Sequence, residues 1–184
     1  MKNYLALFDL DGTLFDTNRV NYCAYKDALK AYGYELEYEY FANCCAGRYY
    51  QDFLMAIMRD AKHLEEVHEL KKKLYAVHLD KARENIHLFN MIQLMKETYH
   101  IAIVTTGSRA NCMEILAHFG YTELFERIIS HEDVEKTKPD PEGYLRAMEY
   151  FRVSKENTII FEDSTVGITA AAASGATVMK VEKF

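Results

Sequence analysis

Asp9 and Asp11 stand two residues apart, run at once into Gly12-Thr13, and close the apolar segment Tyr4-Leu5-Ala6-Leu7-Phe8. A short apolar and aromatic run of that kind reads as a buried parallel strand. Asp9 then falls at the carboxyl end of the strand, where open α/β sheets bind their ligands. Residues i and i+2 of a strand point the same way, so the two carboxylates can converge on one centre. Gly12 permits a sharp turn just beyond them. Paired carboxylates do acid–base work, ligate hard cations or attack an electrophile. The plainer alternative is a pair of solvated turn aspartates.

Three more segments carry chemistry, and each follows an expected strand. Thr105-Thr106-Gly107-Ser108 follows Ile101–Val104. Lys136-Thr137-Lys138-Pro139-Asp140-Pro141 comes after Arg127–Ser130. Glu162-Asp163-Ser164 follows Thr158–Phe161. In a parallel sheet with right-handed crossovers, all four segments share one rim.

Each residue type has a physical task there. Carboxylate oxygens suit Mg²⁺, which takes few protein ligands and keeps oxygens of water and substrate. A cation is needed because Asp9, Asp11, Glu162 and Asp163 together repel a phosphate. A carboxylate can attack phosphorus and form an aspartyl phosphate. The Thr105 hydroxyl and backbone N–H groups near Gly107 can cradle phosphate oxygens at a helix amino terminus. Lys138 adds a positive charge beside the transferring group. The alternatives are a helix cap at Thr105–Gly107, surface lysines at 136 and 138, and a capping role for Glu162-Asp163. The chain's two prolines, Pro139 and Pro141, follow Lys138 and flank Asp140, which biases Lys138 away from helical geometry and suits a loop that aims a side chain.

The elements that must position these residues follow from periodicity. Strands are expected at Tyr4–Phe8, Ile101–Val104, Arg127–Ser130, Thr158–Phe161 and Thr177–Val181. Between them helices are expected at Asn111–Phe119, Pro141–Phe151 and Val166–Ala173, the first and last stopped by Gly120 and Gly175. Strand alternating with helix implies a Rossmann-like parallel sheet. After the first strand the alternation breaks. Val20, Ala24, Ala28 and Ala31 begin a mostly helical stretch running to about Glu84. Within it Leu64, Val67, Leu70, Leu74 and Val77 form an apolar stripe under the charged run Glu65–Lys73. We expect an α/β core of residues 1–17 and 85–184 with a small α-helical cap, residues 18–84, inserted between.

The chain has 184 residues and a formal net charge of −6, which argues against broad binding to nucleic acid or anionic membranes. No apolar run reaches the roughly 20 residues that span a bilayer, and the amino terminus does not read as a signal peptide. Cys23, Cys44, Cys45 and Cys112 form no C-x-x-C pair and read as reduced thiols of a cytoplasmic protein. Eight of the fourteen tyrosines lie between Tyr22 and Tyr50, as a tyrosine-rich core of the insert or as surfaces that stack on a base or sugar. His63 and His68 are five apart and are assigned no metal.

Taken together these motifs resemble the haloacid dehalogenase superfamily of phosphohydrolases over almost the whole chain. The D-x-D-G-T motif is matched by Asp9–Thr13, the strand ending in Ser or Thr by Thr105, the lysine before proline by Lys138, and the acidic pair by Glu162-Asp163. The strings KTKPDPEGYLRA and FEDSTVGITAAAASG resemble the subgroup with phosphoglycolate phosphatase and β-phosphoglucomutase, in which a helical cap is inserted between the first two motifs.

The resemblance implies roles. Asp9 is the nucleophile and a Mg²⁺ ligand. Asp11 protonates the leaving oxygen, activates water against the aspartyl phosphate, and binds metal through its backbone carbonyl. Asp163 completes the metal site, with Glu162 behind it or as a further ligand. Thr105 and Lys138 hold the phosphoryl group, with Thr106 and Gly107 beside them. Dehalogenases and phosphonatases of the superfamily lack an acid two residues after the nucleophile, so Asp11 points to phosphate monoesters.

Arg48, in Gly47-Arg48-Tyr49-Tyr50-Gln51-Asp52-Phe53, stands where the cap presents a substrate-facing loop. It reaches a second anionic group or is a surface arginine. The chain departs from many relatives in having Glu84-Asn85-Ile86-His87-Leu88 where they have Pro-Gly. The expectation is a Mg²⁺-dependent phosphatase of a small phosphorylated metabolite, monomeric or weakly dimeric. A sugar-phosphate mutase and a phospho-accepting signalling domain are the alternatives.

Overall fold

A computed structural model describes residues 2–45, 48 and 50–184. The chain divides into two compact units, Met1–Asp16 with Arg83–Phe184, and Thr17–Ala82.

The first unit is built on a five-stranded, all-parallel sheet in the order β5-β4-β1-β6-β7. Its strands are β1 Tyr4–Phe8, β4 Tyr99–Val104, β5 Arg127–Ile129, β6 Thr158–Glu162 and β7 Thr177–Lys180. Two short strands complete the count, β2 Phe15–Asp16 and β3 Arg83–Glu84, paired antiparallel with Phe15 opposite Glu84. β1 is central because Leu5–Phe8 is buried on both faces. Tyr4 to Phe8 pair with Tyr99 to Ile103 on one side, and Leu5 to Phe8 with Thr158 to Phe161 on the other.

The unit's helices are α5 Ile86–Met95, α6 Arg109–Phe119, α7 Glu142–Phe151 and α8 Thr165–Ser174, and those of the insert are α1 Asn18–Ala31, α2 Tyr38–Tyr40, α3 Tyr50–Met58 and α4 Leu64–Tyr75. Leu5, Leu7, Ala102, Val104 and Ile160 bury one sheet face against Tyr144, Ala147 and Met148 of α7 and Ala170 and Ala171 of α8. On the other, Phe8 meets Phe125 edge-on with ring centroids 6.5 Å apart, and Phe125 meets Phe89 of α5. Phe89 in turn stacks on Tyr121 at 3.8 Å.

The helix starts are chosen by side chains. Ser108 accepts from Asn111 N–H at 3.2 Å to cap α6, and Ser164 accepts from Gly167 N–H at 3.0 Å to cap α8. Asn85 caps α5 through Leu88 N–H. Its side chain also donates to Thr13 O at 3.3 Å, and its backbone N–H to Leu14 O at 2.9 Å. The segment that re-enters the unit is thus fastened to the loop behind Asp9 and Asp11.

The insert packs around Tyr22, Tyr25, Leu29, Phe41, Phe53, Leu54 and Val67. Most of the described tyrosines here serve the core, as Tyr32, Tyr34, Tyr38 and Tyr50 also pack on this cluster, while Tyr40 is exposed. Two local expectations need correction. Val77 leaves the stripe and is exposed, because the helix tightens to 3₁₀ at Ala76–Lys81 and shifts its angular phase. Lys71, inside the charged run, is buried with its ammonium 5.0 Å from the ring centroids of Tyr25 and Tyr75. No described helix is long and apolar enough to cross a membrane, and the four cysteines are unpaired.

Candidate active site

Asp9 lies one residue past β1, and its N–H still reaches Phe161 O at 3.0 Å. Thr105 lies one residue past β4, with its N–H on Ile129 O at 2.9 Å. Glu162 ends β6 and Asp163 follows it. These residues therefore share the carboxyl-end rim beside the central strand, where the chain's connections diverge to the two halves of the sheet.

Lys138 comes to that rim from the loop after β5, through a cis Lys138–Pro139 peptide. Its Nζ is 2.6 Å from Asp9 Oδ1 and 2.7 Å from Glu162 Oε1, and all three side chains are almost wholly buried. Burial alone would lower the Lys138 ammonium, but Asp9, Tyr144 and Glu162 hold it above the usual lysine range. Burial pushes the Asp9 carboxyl upward, against the pull of Lys138 and with the repulsion of Glu162 and Asp11. Asp163 is raised as well, by burial and then by Glu162, although Thr13 donates to its Oδ1 at 3.1 Å.

Glu162 is the most heavily engaged of these carboxylates. Oε1 accepts from Lys138 and, at 3.2 Å, from the Tyr144 hydroxyl, while Oε2 accepts from Ser164 N–H at 3.0 Å and Ser164 Oγ at 3.2 Å. That fills the roughly four acceptor positions of a carboxylate. Glycine is required where these acids touch backbone. A methyl group on Gly167 would overlap the Glu162 carboxylate, and one on Gly12, at φ +92°, would overlap Asp163.

Carboxylate oxygens of Asp9, Glu162 and Asp163 lie within 4.8 Å of one another. Of the three, Asp9 and Asp163 present hard oxygen donors that suit a small divalent cation, while Glu162 already has its acceptor positions filled. The Asp11 carboxylate is not in this cluster. Asp11 bridges Phe15 in the turn, and its Oδ2 lies 3.7 Å from where a methyl on Gly107 would stand. The expected convergence of both aspartate side chains on one centre therefore becomes a division, Asp9 toward the acidic cluster and Asp11 toward the Thr105–Gly107 loop.

In that loop Gly107 N–H donates to Thr105 Oγ1 at 2.9 Å. The threonine oxygen is the acceptor, so its own proton is left to point elsewhere, while the Gly107 N–H is already spent inside the protein. Arg109 N–H, in the first turn of α6, is likewise taken by Glu132. Thr106 is exposed beside the loop. Lys136 gives its backbone N–H to Glu142 at 2.8 Å and is exposed. Arg48 lies in the insert, exposed, with its N–H on Cys45 O at 3.0 Å. Its neighbours Gly47 and Tyr49 fall outside the described residues.

Sequence reasoning missed Tyr144, Ser164 as a donor to Glu162, and Gly167. All three lie inside the strings KTKPDPEGYLRA and FEDSTVGITAAAASG, but only Ser164, between a strand and a helix, had a role legible from its position.

The chain is similar to known proteins over most of its length. The sequence model for haloacid dehalogenase-like hydrolases matches residues 6–181. The pyrophosphatase PpaX of Halalkalibacterium halodurans is 32% identical over 173 residues, covering 92% of this chain and 79% of that protein. A phosphorylated carbohydrates phosphatase of Thermotoga maritima is 28% identical over 177 residues, covering 92% and 81%. The crystal structure of CbbY from Rhodobacter sphaeroides in complex with phosphate shares the fold, with a TM-score of 0.87 at 23% identity over 100% of this chain and 88% of that one.

Proposed function

The chain belongs to the haloacid dehalogenase-like hydrolase family, and from that premise we propose that it is a Mg²⁺-dependent phosphatase of small phosphate monoesters. The observation that carries the reading is the buried Lys138–Asp9 contact of 2.6 Å beside the Asp9, Glu162 and Asp163 carboxylates.

Asp9 Oδ attacks phosphorus, the phosphorus–oxygen bond to the leaving group breaks, and Asp11 gives its proton to the departing oxygen. Asp11 then takes a proton from water, which attacks phosphorus, breaks the Asp9–phosphorus bond and releases inorganic phosphate. The Thr105 hydroxyl donates to the phosphoryl group, with Thr106 and Gly107 shaping the loop. Lys138 carries positive charge against the nucleophile and the charge that builds on the transferring oxygens. Asp9, Asp163 and the Asp11 backbone carbonyl would hold Mg²⁺, which neutralises phosphate charge when bound. Glu162, with its acceptor positions filled, is assigned to Lys138. The helical insert, residues 17–82, is read as the cap that selects the substrate, with Arg48 offering a contact to a second anionic group.

The substrate class follows the relatives, one a pyrophosphatase and one a phosphatase of phosphorylated carbohydrates. Unpaired cysteines and the net charge of −6 suit a cytoplasmic enzyme acting on such metabolites.

The test is release of inorganic phosphate from p-nitrophenyl phosphate, pyrophosphate and a panel of sugar phosphates, with Mg²⁺ and with EDTA. Mg²⁺-dependent release that Asp9→Asn abolishes supports the reading. Substantial turnover by Asp9→Asn would overturn it, and isomerised sugar phosphate in place of free phosphate would identify a mutase.

A further inference from the structure

We propose that Tyr144 is a positioning residue, acting through Glu162 to keep the Lys138 ammonium against Asp9; this rests on the function assigned to the site above. Tyr144 lies on α7, outside all four motif segments, with no solvent exposure. A buried phenol needs a partner for its hydroxyl. Here the partner is Glu162 Oε1 at 3.2 Å, the same oxygen that takes Lys138 Nζ at 2.7 Å. The Tyr144 ring centroid is 5.1 Å from that ammonium, a cation–π separation. One side chain thus touches both ends of the Lys138–Glu162 pair.

The physical need for such a device comes from lysine itself. Its ammonium is a point charge on a flexible four-carbon stem, and two anions compete for it, Asp9 Oδ1 at 2.6 Å and Glu162 Oε1 at 2.7 Å. The Tyr144 hydroxyl takes up part of the acceptor capacity of Oε1 and weakens that oxygen's hold on the lysine. Ser164 fixes Oε2, and the Gly167 backbone leaves the carboxylate no room to turn. Without the hydroxyl, Oε1 draws the ammonium more strongly and the contact with Asp9 loosens. A tyrosine that only fills volume would be replaced by phenylalanine without consequence.

Tyr144→Phe keeps the ring and deletes one oxygen. With p-nitrophenyl phosphate and Mg²⁺, kcat should fall about tenfold while KM stays within about twofold. In a Glu162→Gln background the same change should move kcat by less than about twofold, because the path runs through that carboxylate. A second readout needs no turnover. In metal-free protein labelled with ¹⁵N-lysine, the Lys138 ammonium signal, assigned by its loss in Lys138→Met, should shift or broaden in Tyr144→Phe. Unchanged kcat together with an unchanged ammonium signal would overturn the proposal, as would fully additive effects of the two substitutions. A wild-type protein that does not hydrolyse the ester would instead count against the functional reading, and the ammonium signal would then decide the role of Tyr144.

Discussion

Thr13 Oγ1 donates to Asp163 Oδ1 at 3.1 Å, joining the turn after the first strand to the residue after the sixth. Thr13 has no exposed surface, so its hydroxyl belongs to this contact rather than to solvent. Thr13→Val preserves shape and removes the donor. It should destabilise the protein by about 1–3 kcal/mol, as expected when a buried acceptor loses its partner, and raise the Mg²⁺ concentration for half-maximal phosphate release. Urea unfolding and a Mg²⁺ titration of activity measure the two effects.

Asp163 also gives a pH signature. Its carboxyl is raised in the folded protein by burial and by Glu162, so the folded state holds its proton more tightly than the unfolded chain does. A raised carboxyl contributes stability below the unfolded value of about 4 and loses it as pH rises through the folded value. The Asp163 contribution to the stability of metal-free protein should therefore fall as pH is raised above about 4. Asp163→Asn should remove that contribution, raise the melting temperature in EDTA at neutral pH, and abolish Mg²⁺-dependent activity. Melting curves across pH in EDTA provide the check.

Gly167→Ala puts a methyl group onto the Glu162 carboxylate. Helix α8 would gain from alanine's propensity by under about 1 kcal/mol, but the overlap should cost about 1–3 kcal/mol and win. The displaced carboxylate releases Lys138, so kcat should fall even at temperatures where the variant is fully folded. A variant as active and as stable as wild type would show that Glu162 moves aside freely.

Lys138→Met leaves Asp9 and Glu162 facing each other without their shared cation. Breaking a buried pair from one side costs about 3–5 kcal/mol. The loss should be smaller near about pH 6 than near about pH 9, because the Asp9 carboxyl, pushed up to about 8 by burial, is neutral with or without the lysine well below that value. Denaturant unfolding at the two pH values would show the difference, and phosphate release should be absent at both.

The main elements were legible because their signals are local. Tyr4–Phe8 and Thr158–Phe161 are unbroken apolar runs, and both became strands of an all-parallel sheet. Ser108, Gly120, Ser164 and Gly175 punctuate α6 and α8 as their chemistry requires. The strands β2 and β3 could not be read, since two residues make no pattern and the pairing of Phe15 with Glu84 spans the whole insert. Helix α5 escaped for a different reason. Ile86, Leu88, Phe89, Met91, Ile92, Leu94 and Met95 are apolar all round, yet Ile86 and Leu94 are exposed, so no stripe marks a buried face. At the rim, the acidic and basic residues announced themselves by type and spacing. Tyr144 and Gly167 did not, because their importance lies in what they touch across the fold.

The place of β1 bears on how the chain is made. Its partners begin at Tyr99 and Thr158, so β1 leaves a ribosome well before both neighbours are made. Until then Tyr4–Phe8 is an uncharged, strand-prone segment without a sheet, the kind that invites aggregation between nascent chains. The insert needs no later sequence for its own core and can fold while β1 waits. Acidic Asp9 and Asp11, at the end of that run, are suited during synthesis to act as gatekeepers against strand-to-strand association.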